Sequence, residues 1–136
     1  MKDVNGSIKY KGIDYRLVFN LNVMEAIQEE YGSIEAWGDL TDGTANGRKA
    51  YMGEWDDLSE KEKEKLKGEP DAKAVIFGFT QMINEGIDIA NEEGEDLKPL
   101  TLKQVGRMIT EVGLSNASNT MKNTVIASAQ SEEKNA

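Results

Sequence analysis

The fold at the start of the chain is set by the stretch Gly6-Ser7-Ile8-Lys9-Tyr10-Lys11-Gly12-Ile13-Asp14-Tyr15-Arg16-Leu17-Val18-Phe19. Apolar and polar residues alternate on both sides of Lys11-Gly12, which is the pattern of two antiparallel strands joined by a tight turn. We therefore predict a hairpin over 6–19. Because a two-stranded hairpin alone is only marginally stable in water, its apolar face is expected to pack on the helices that follow.

Helical spacing of apolar residues and N-capping signals predict five helices after the hairpin. They cover about 20–31, 59–67, 71–92, 101–112 and 115–130, and a polar tail is expected at 131–136. In the 71–92 helix, Gly86 lies on the apolar stripe, which indicates close approach of another backbone. The 115–130 segment is rich in Asn, Ser and Thr, which are poor helix formers, so we expect it to depend on a partner for its order.

The remaining segment, 38–57, is rich in Gly, Asp, Thr and Asn and is predicted to be a long loop. The sequence as a whole predicts one domain over 1–130 with an α+β fold, mainly helical, in which an N-terminal two-stranded β-hairpin packs on the helices. The predicted core consists of apolar residues on the inward faces of these elements: Tyr15, Leu17, Phe19, Val23, Ile27, Val75, Ile76, Phe79, Ile83, Ile87, Leu102, Val105 and Ile109.

Composition narrows the chemistry that we expect. The 136 residues include no His and no Cys, so the commonest acid–base, nucleophilic and transition-metal side chains are missing. A net charge of −9, with Lys and Arg interleaved among acids, argues against nucleic-acid binding. No apolar run is long enough for a membrane span, and the N-terminus lacks a signal-peptide core, so a cytoplasmic location is expected.

Two further patterns partly match known ligand-binding motifs. The stretch Gly43-Thr44-Ala45-Asn46-Gly47-Arg48-Lys49 resembles a phosphate-binding loop only superficially, because the glycine spacing and the Ser or Thr after Lys are missing. The aspartates in 39–57 lack the ligand spacing and the closing Glu of an EF-hand. We therefore predict no catalytic residue, no metal site and no cofactor.

The order of elements carries a resemblance to a known family. A hairpin leads into Phe19-Asn20 and a helix ending in Glu29-Glu30-Tyr31-Gly32, and an amphipathic helix then leads into Leu100-Thr101-Leu102-Lys103-Gln104-Val105-Gly106. This arrangement resembles the tail assembly chaperones of long-tailed bacteriophages and prophages, in the group similar to gene-transfer-agent tail proteins. The resemblance covers roughly residues 6–113, and 38–70 is an insert relative to it.

The resemblance implies a non-enzymatic function. Such chaperones bind the long helical tape-measure protein, prevent its aggregation, help to recruit tail-tube protein, and are absent from the mature virion. The six Met residues of this chain are compatible with adaptable grooves for an amphipathic helix. Self-association is also expected to be possible.

Aromatic and Met side chains outside the predicted stripes are the candidate partner-binding residues. They are Trp37, Tyr51, Met52, Trp55 and Phe77. For each of them the alternative is that the side chain folds back over the core.

Two other functions remain open at the level of sequence. A structural tail component, such as a tube or connector subunit, would need a broad sheet, and the sequence predicts only one hairpin. A small acidic hydrolase would need convergent polar groups, and no pair of carboxylates stands out from the others.

Overall fold

The computed structural model describes the backbone of residues 6–135 and the side chains of residues 6–129. The described chain is mainly helical with one two-stranded antiparallel sheet at its N-terminal end. The predicted α+β fold is therefore confirmed.

The hairpin has the predicted turn. Strand β1 (Ser7–Tyr10) pairs with strand β2 (Ile13–Arg16), so that Ile8 faces Tyr15 across the sheet. Lys11 and Gly12 have φ angles of 51° and 79°, which is the left-handed geometry that a two-residue hairpin turn requires. The second strand is shorter than predicted, because Val18 leaves the ladder and its N–H donates to the Met82 carbonyl, 3.2 Å away.

Seven α-helices follow within the described residues. They are α1 (Leu21–Tyr31), α2 (Ile34–Thr41), α3 (Thr44–Ala50), α4 (Glu60–Leu66), α5 (Ala72–Glu92), α6 (Leu102–Val112) and α7 (Leu114–Asn135). Local signals set most of these boundaries, as predicted. Asn20 caps α1, and both Ser59 and Thr101 form reciprocal capping boxes at the starts of α4 and α6.

The predicted long loop at 38–57 is wrong. This segment contains the end of α2, all of α3 and a 3-10 turn at Trp55–Asp57. Its glycines serve close packing: a Cβ on Gly47 would lie 2.4 Å from the Leu66 carbonyl oxygen, and one on Gly43 would lie 2.1 Å from that of Gly68. Composition suggested flexibility, but the glycines allow α3 to lie against the end of α4.

Helix α5 is the centre of the molecule and packs against β2, α1, α2, α6 and α7. Most of the predicted core is buried or partly buried around it, but Leu102 is 52% exposed and is not core. Six further apolar side chains of the described residues are buried although they were not part of the predicted core: Val18, Ala74, Met82, Met108, Ala117 and Met121. Trp37 and Trp55 are also buried, which is the alternative given for them above.

The prediction for Gly86 is confirmed. A Cβ at this position would lie 2.3 Å from the backbone carbonyl oxygen of Arg16, so the second strand crosses directly over α5 there. The close approach fixes the hairpin on the long helix, and only glycine leaves room for it.

Helix α7 packs against α5 and α6, and it continues to Asn135 where a polar tail was predicted; residue 136 lies outside the described residues. Its hydroxyls bond to other elements: Ser118 Oγ donates to the Thr41 carbonyl, and Ser128 Oγ donates to the Phe19 carbonyl at 2.9 Å. These tertiary bonds outweigh the low helix propensity of Ser and Thr.

We find no helix in the described part of the chain whose length and apolarity suit a membrane crossing.

Candidate docking groove

The five candidate partner-binding residues lie in three different environments. Trp37 is buried in the core and only 3% exposed. Its indole Nε1 donates to the Ala74 carbonyl at 3.0 Å, and its ring packs so tightly on Gly78 that a Cβ there would lie 2.4 Å from Cζ2. For Trp37, the alternative that the side chain folds back over the core therefore describes the structure.

Tyr51, Met52 and Trp55 follow α3 along the chain. Trp55 is buried, and Tyr51 contacts it edge to face with ring centroids 6.1 Å apart. Met52 is 98% exposed. The structure thus brings Tyr51 and Trp55 into contact, whereas Met52, next to Tyr51 in the sequence, presents its whole side chain to the surface.

Phe77 lies on another face, on the N-terminal half of α5. It is half-buried and meets Tyr31 edge to face with centroids 5.6 Å apart. Its other neighbours line an open groove of about 560 Å³ between α5 and α6, at the end of α1. We call this surface the α5–α6 groove; its lining residues are Glu30, Lys73, Ile76, Phe77, Leu102, Lys103 and Gly106.

The walls of the α5–α6 groove are apolar and its rim is charged. Ile76 and Phe77 form one wall, and Leu102 forms the other. Gly106 lies next to Ile76, because a Cβ at this glycine would meet only the Ile76 Cδ1 atom, at 3.6 Å. Without a side chain at Gly106, this part of the groove stays open. Half-exposed apolar walls around an open groove are typical of surfaces that bind another protein element.

A second, polar cavity of about 480 Å³ lies between α2, α3 and α4. Lys67 Nζ bridges Glu64 Oε2 at 2.7 Å and Asp42 Oδ2 at 3.4 Å. Burial alone would lower the pKa of Lys67, but the bond to Glu64 and the charge of Asp42 outweigh burial and raise it. These ion pairs connect the C-terminal ends of α4 and α2, so the charged residues of this cavity stabilise the packing of the two helices.

Asp39 lies in the same polar cavity. Burial and the neighbouring Asp42 carboxylate raise the pKa of Asp39, while Arg48 acts in the opposite direction. In the described part of the chain, no three His, Cys, Asp or Glu side chains are grouped so that they would hold a metal ion. The arrangement offers charge pairing rather than a nucleophile with an oriented base.

Sequence reasoning placed Ile76 and Leu102 in the core and overlooked the groove. Both residues lie on the apolar stripe of a helix, which predicts that they face inward. The stripe does not show how far a neighbouring helix covers them. One signal was present in the sequence: Gly106 follows Leu102 by one helical turn, so the stripe of α6 has a gap beside an apolar residue.

Comparisons with known proteins give no relative: no family model, no curated protein and no solved structure matches this chain.

Proposed function

We propose that this protein is a non-enzymatic tail assembly chaperone of a bacteriophage or prophage. In this function it holds the tape-measure protein in soluble form in the host cytoplasm, helps to recruit tail-tube subunits, and leaves before the virion is mature. The resemblance in the order of the hairpin and helices supports the proposal, and the α5–α6 groove is the observation that carries it.

The groove suits a helical partner. Between two packed helices, an added amphipathic helix continues the same type of packing and buries its apolar stripe against Ile76, Phe77 and Leu102. Tape-measure proteins are long and helical, so they offer many such stripes. The excess of 25 acidic over 16 basic residues would keep a complex with an aggregation-prone partner in solution.

The proposal is tested by co-expression with the long helical protein encoded beside this chain. We expect the partner to be insoluble alone and to co-elute with the tagged chain in affinity and size-exclusion chromatography. A partner that stays insoluble while this chain elutes alone would contradict the proposal.

The alternative is a structural tail component, and one observation favours it. Strand β1 pairs only with β2 among the described residues, so its outer edge has no strand partner there, and a strand from a second subunit could pair with it. Quantitative mass spectrometry of purified tails separates the two functions. A chaperone is absent from the finished tail, whereas a tube or connector subunit is present in a fixed ratio to the other tail proteins.

A further inference from the structure

The charges on the rim of the α5–α6 groove point to a more specific partner. Lys73 and Lys103 flank the apolar walls of the groove. Neither ammonium group has an ion-pair partner in the part of the chain whose side chains are described. Glu30 lies at the same groove but forms no ion pair with either lysine. The rim thus carries two unpaired cations on a strongly acidic protein.

The positions of these lysines are also unfavourable for their own helices. Lys73 and Lys103 are each the second residue of a helix, α5 and α6 respectively. The N-terminal end of a helix carries partial positive charge, so acidic residues are stabilising there and cations are not. Helix α4 also has a lysine, Lys61, as its second residue, but Glu60 and Glu62 in the same turn offset its charge. The first turns of α5 and α6 contain no acid, and the only acid at either start is Asp71, the N-cap of α5.

Local helix energetics therefore do not explain the lysines. The two helix starts that carry a lysine and have no acid in the first turn both border the same apolar groove. Residues that depart from local helix preferences are expected at functional surfaces, and here both lysines lie at the α5–α6 groove.

From this geometry we propose that the α5–α6 groove binds an amphipathic helix of a partner protein whose apolar stripe is flanked by acidic residues. The stripe packs on Ile76, Phe77 and Leu102, and the flanking carboxylates pair with Lys73 and Lys103. This inference rests on the proposed function for the identity of the partner, but the groove is testable without that partner.

The test uses two synthetic helical peptides of about 20 residues, or roughly 30 Å. Both carry the same Leu stripe, and the flanking positions are Glu in one peptide and Lys in the other. Binding to the purified chain is measured by fluorescence anisotropy at low and high salt. The net charge of −9 attracts the Lys peptide and repels the Glu peptide, so overall electrostatics predict the opposite preference from the groove.

We expect the wild-type protein to bind the Glu peptide about tenfold or more tightly than the Lys peptide, and salt to reduce this difference. The double change Lys73→Glu and Lys103→Glu should reverse the preference. Both substitutions place an acid in the first turn of a helix, so they should not weaken folding. Equal binding of the two peptides, or a preference for the Lys peptide, would overturn the proposal.

A matched pair of substitutions tests the apolar wall. Leu102 and Leu21 are each the first residue of a helix after its N-cap, and both are exposed. Leu102→Ser should weaken binding of the Glu peptide about tenfold. Leu21→Ser, which is outside the groove, should leave the binding of this peptide unchanged. Equal effects of the two variants would place the peptide elsewhere and overturn the proposal, as would peptide-dependent NMR shifts confined to residues outside the groove.

The same two variants separate this inference from the proposed function. In the co-expression assay, the partner should become insoluble with the Leu102→Ser variant and should stay soluble with the Leu21→Ser variant. If both variants keep the partner soluble, the groove is not the docking site, and the chaperone proposal then stands on the solubility of the partner alone. If the wild-type chain itself fails to keep the partner soluble, the chaperone proposal falls, and the peptide assay still decides whether the groove prefers an acidic helix.

Discussion

Two glycines in helices show how much a single Cβ matters in this molecule. At Gly86 the new atom would meet the Arg16 carbonyl oxygen at 2.3 Å, whereas at Gly38, inside α2, nothing lies within 4 Å. We expect Gly86→Ala to lower the free energy of unfolding by about 2 kcal/mol or more, because the hairpin has to shift. Gly38→Ala should raise it by about 0.5–1 kcal/mol through helix propensity. Urea denaturation of both variants checks this, and equal effects would contradict the described crossing of β2 over α5.

The hydroxyl of Tyr31 is buried and has no hydrogen-bond partner among the described residues. Because the wild-type protein bears the cost of desolvating this group, Tyr31→Phe should raise the free energy of unfolding by about 1 kcal/mol. Burial, with the charges of Asp71 and Glu30, also raises the pKa of Tyr31 above 10.0. The phenol therefore ionises more easily in the unfolded chain, and wild-type stability should fall above about pH 10 more steeply than that of Tyr31→Phe. A destabilised Tyr31→Phe variant would show that the hydroxyl does have a partner.

Asp39 gives a prediction at acidic pH. Burial and Asp42 raise its pKa above 3.8 in the folded protein, so the folded state holds the proton more tightly than the unfolded state. Its contribution to stability is thus present at low pH and is lost as the pH rises through the folded pKa. Asp39→Asn should stabilise the protein at pH 7, by less than about 1 kcal/mol because the group is partly exposed, and should have no effect near pH 3. Thermal denaturation at the two pH values checks this; a variant less stable at pH 7 would contradict it.

At the scale of elements, two asparagines of α5 hold the connection to α6. Asn84 accepts from the Leu100 N–H at 2.8 Å and donates to its carbonyl at 3.0 Å. Asn91, two turns later, makes the same pair of bonds to Leu97, at 2.8 and 2.9 Å. These side chains bind an extended segment as a neighbouring strand would, and so they place the start of α6 and the wall of the groove.

This arrangement predicts separable effects on hydrogen exchange. Asn84→Ala should speed exchange of the Leu100 amide and leave that of Leu97 nearly unchanged, while Asn91→Ala should do the reverse. The Asn84 change should cost about 1–2 kcal/mol of stability, because it leaves partly buried backbone groups unpaired. If either substitution speeds exchange of both amides equally, the connection opens as one unit, and the hydrogen bonds of Asn84 and Asn91 are not independent.

Some elements were predictable because they depend on short-range patterns in the sequence. The hairpin turn, the cap at Asn20 and the capping boxes at Ser59 and Thr101 depend on residues within a few positions of each other, so the sequence reveals them. Helix α3 and the ordered α7 depend on distant partners, such as Leu66 opposite Gly47 and Thr41 opposite Ser118. Propensity alone cannot show such contacts, and for that reason these segments were predicted as a loop and as a partner-dependent helix.

The sequence predicted the candidate site only in part. Phe77 was identified because it interrupts a polar face of α5, and it does line the α5–α6 groove. Trp37 and Trp55 looked equally conspicuous in the sequence, but they are buried in the structure. The groove itself arises where α5, α6 and the end of α1 meet, so no single segment of the sequence contains it.

Chaperone function is measured most directly by the aggregation of purified tape-measure protein on dilution from denaturant, followed by light scattering. If the chain is a chaperone of the proposed kind, scattering should fall as the chain is added and should reach a minimum at a fixed molar ratio. An unrelated protein of similar net charge serves as the control. Scattering that is the same with this chain as with the control would contradict the proposed chaperone function.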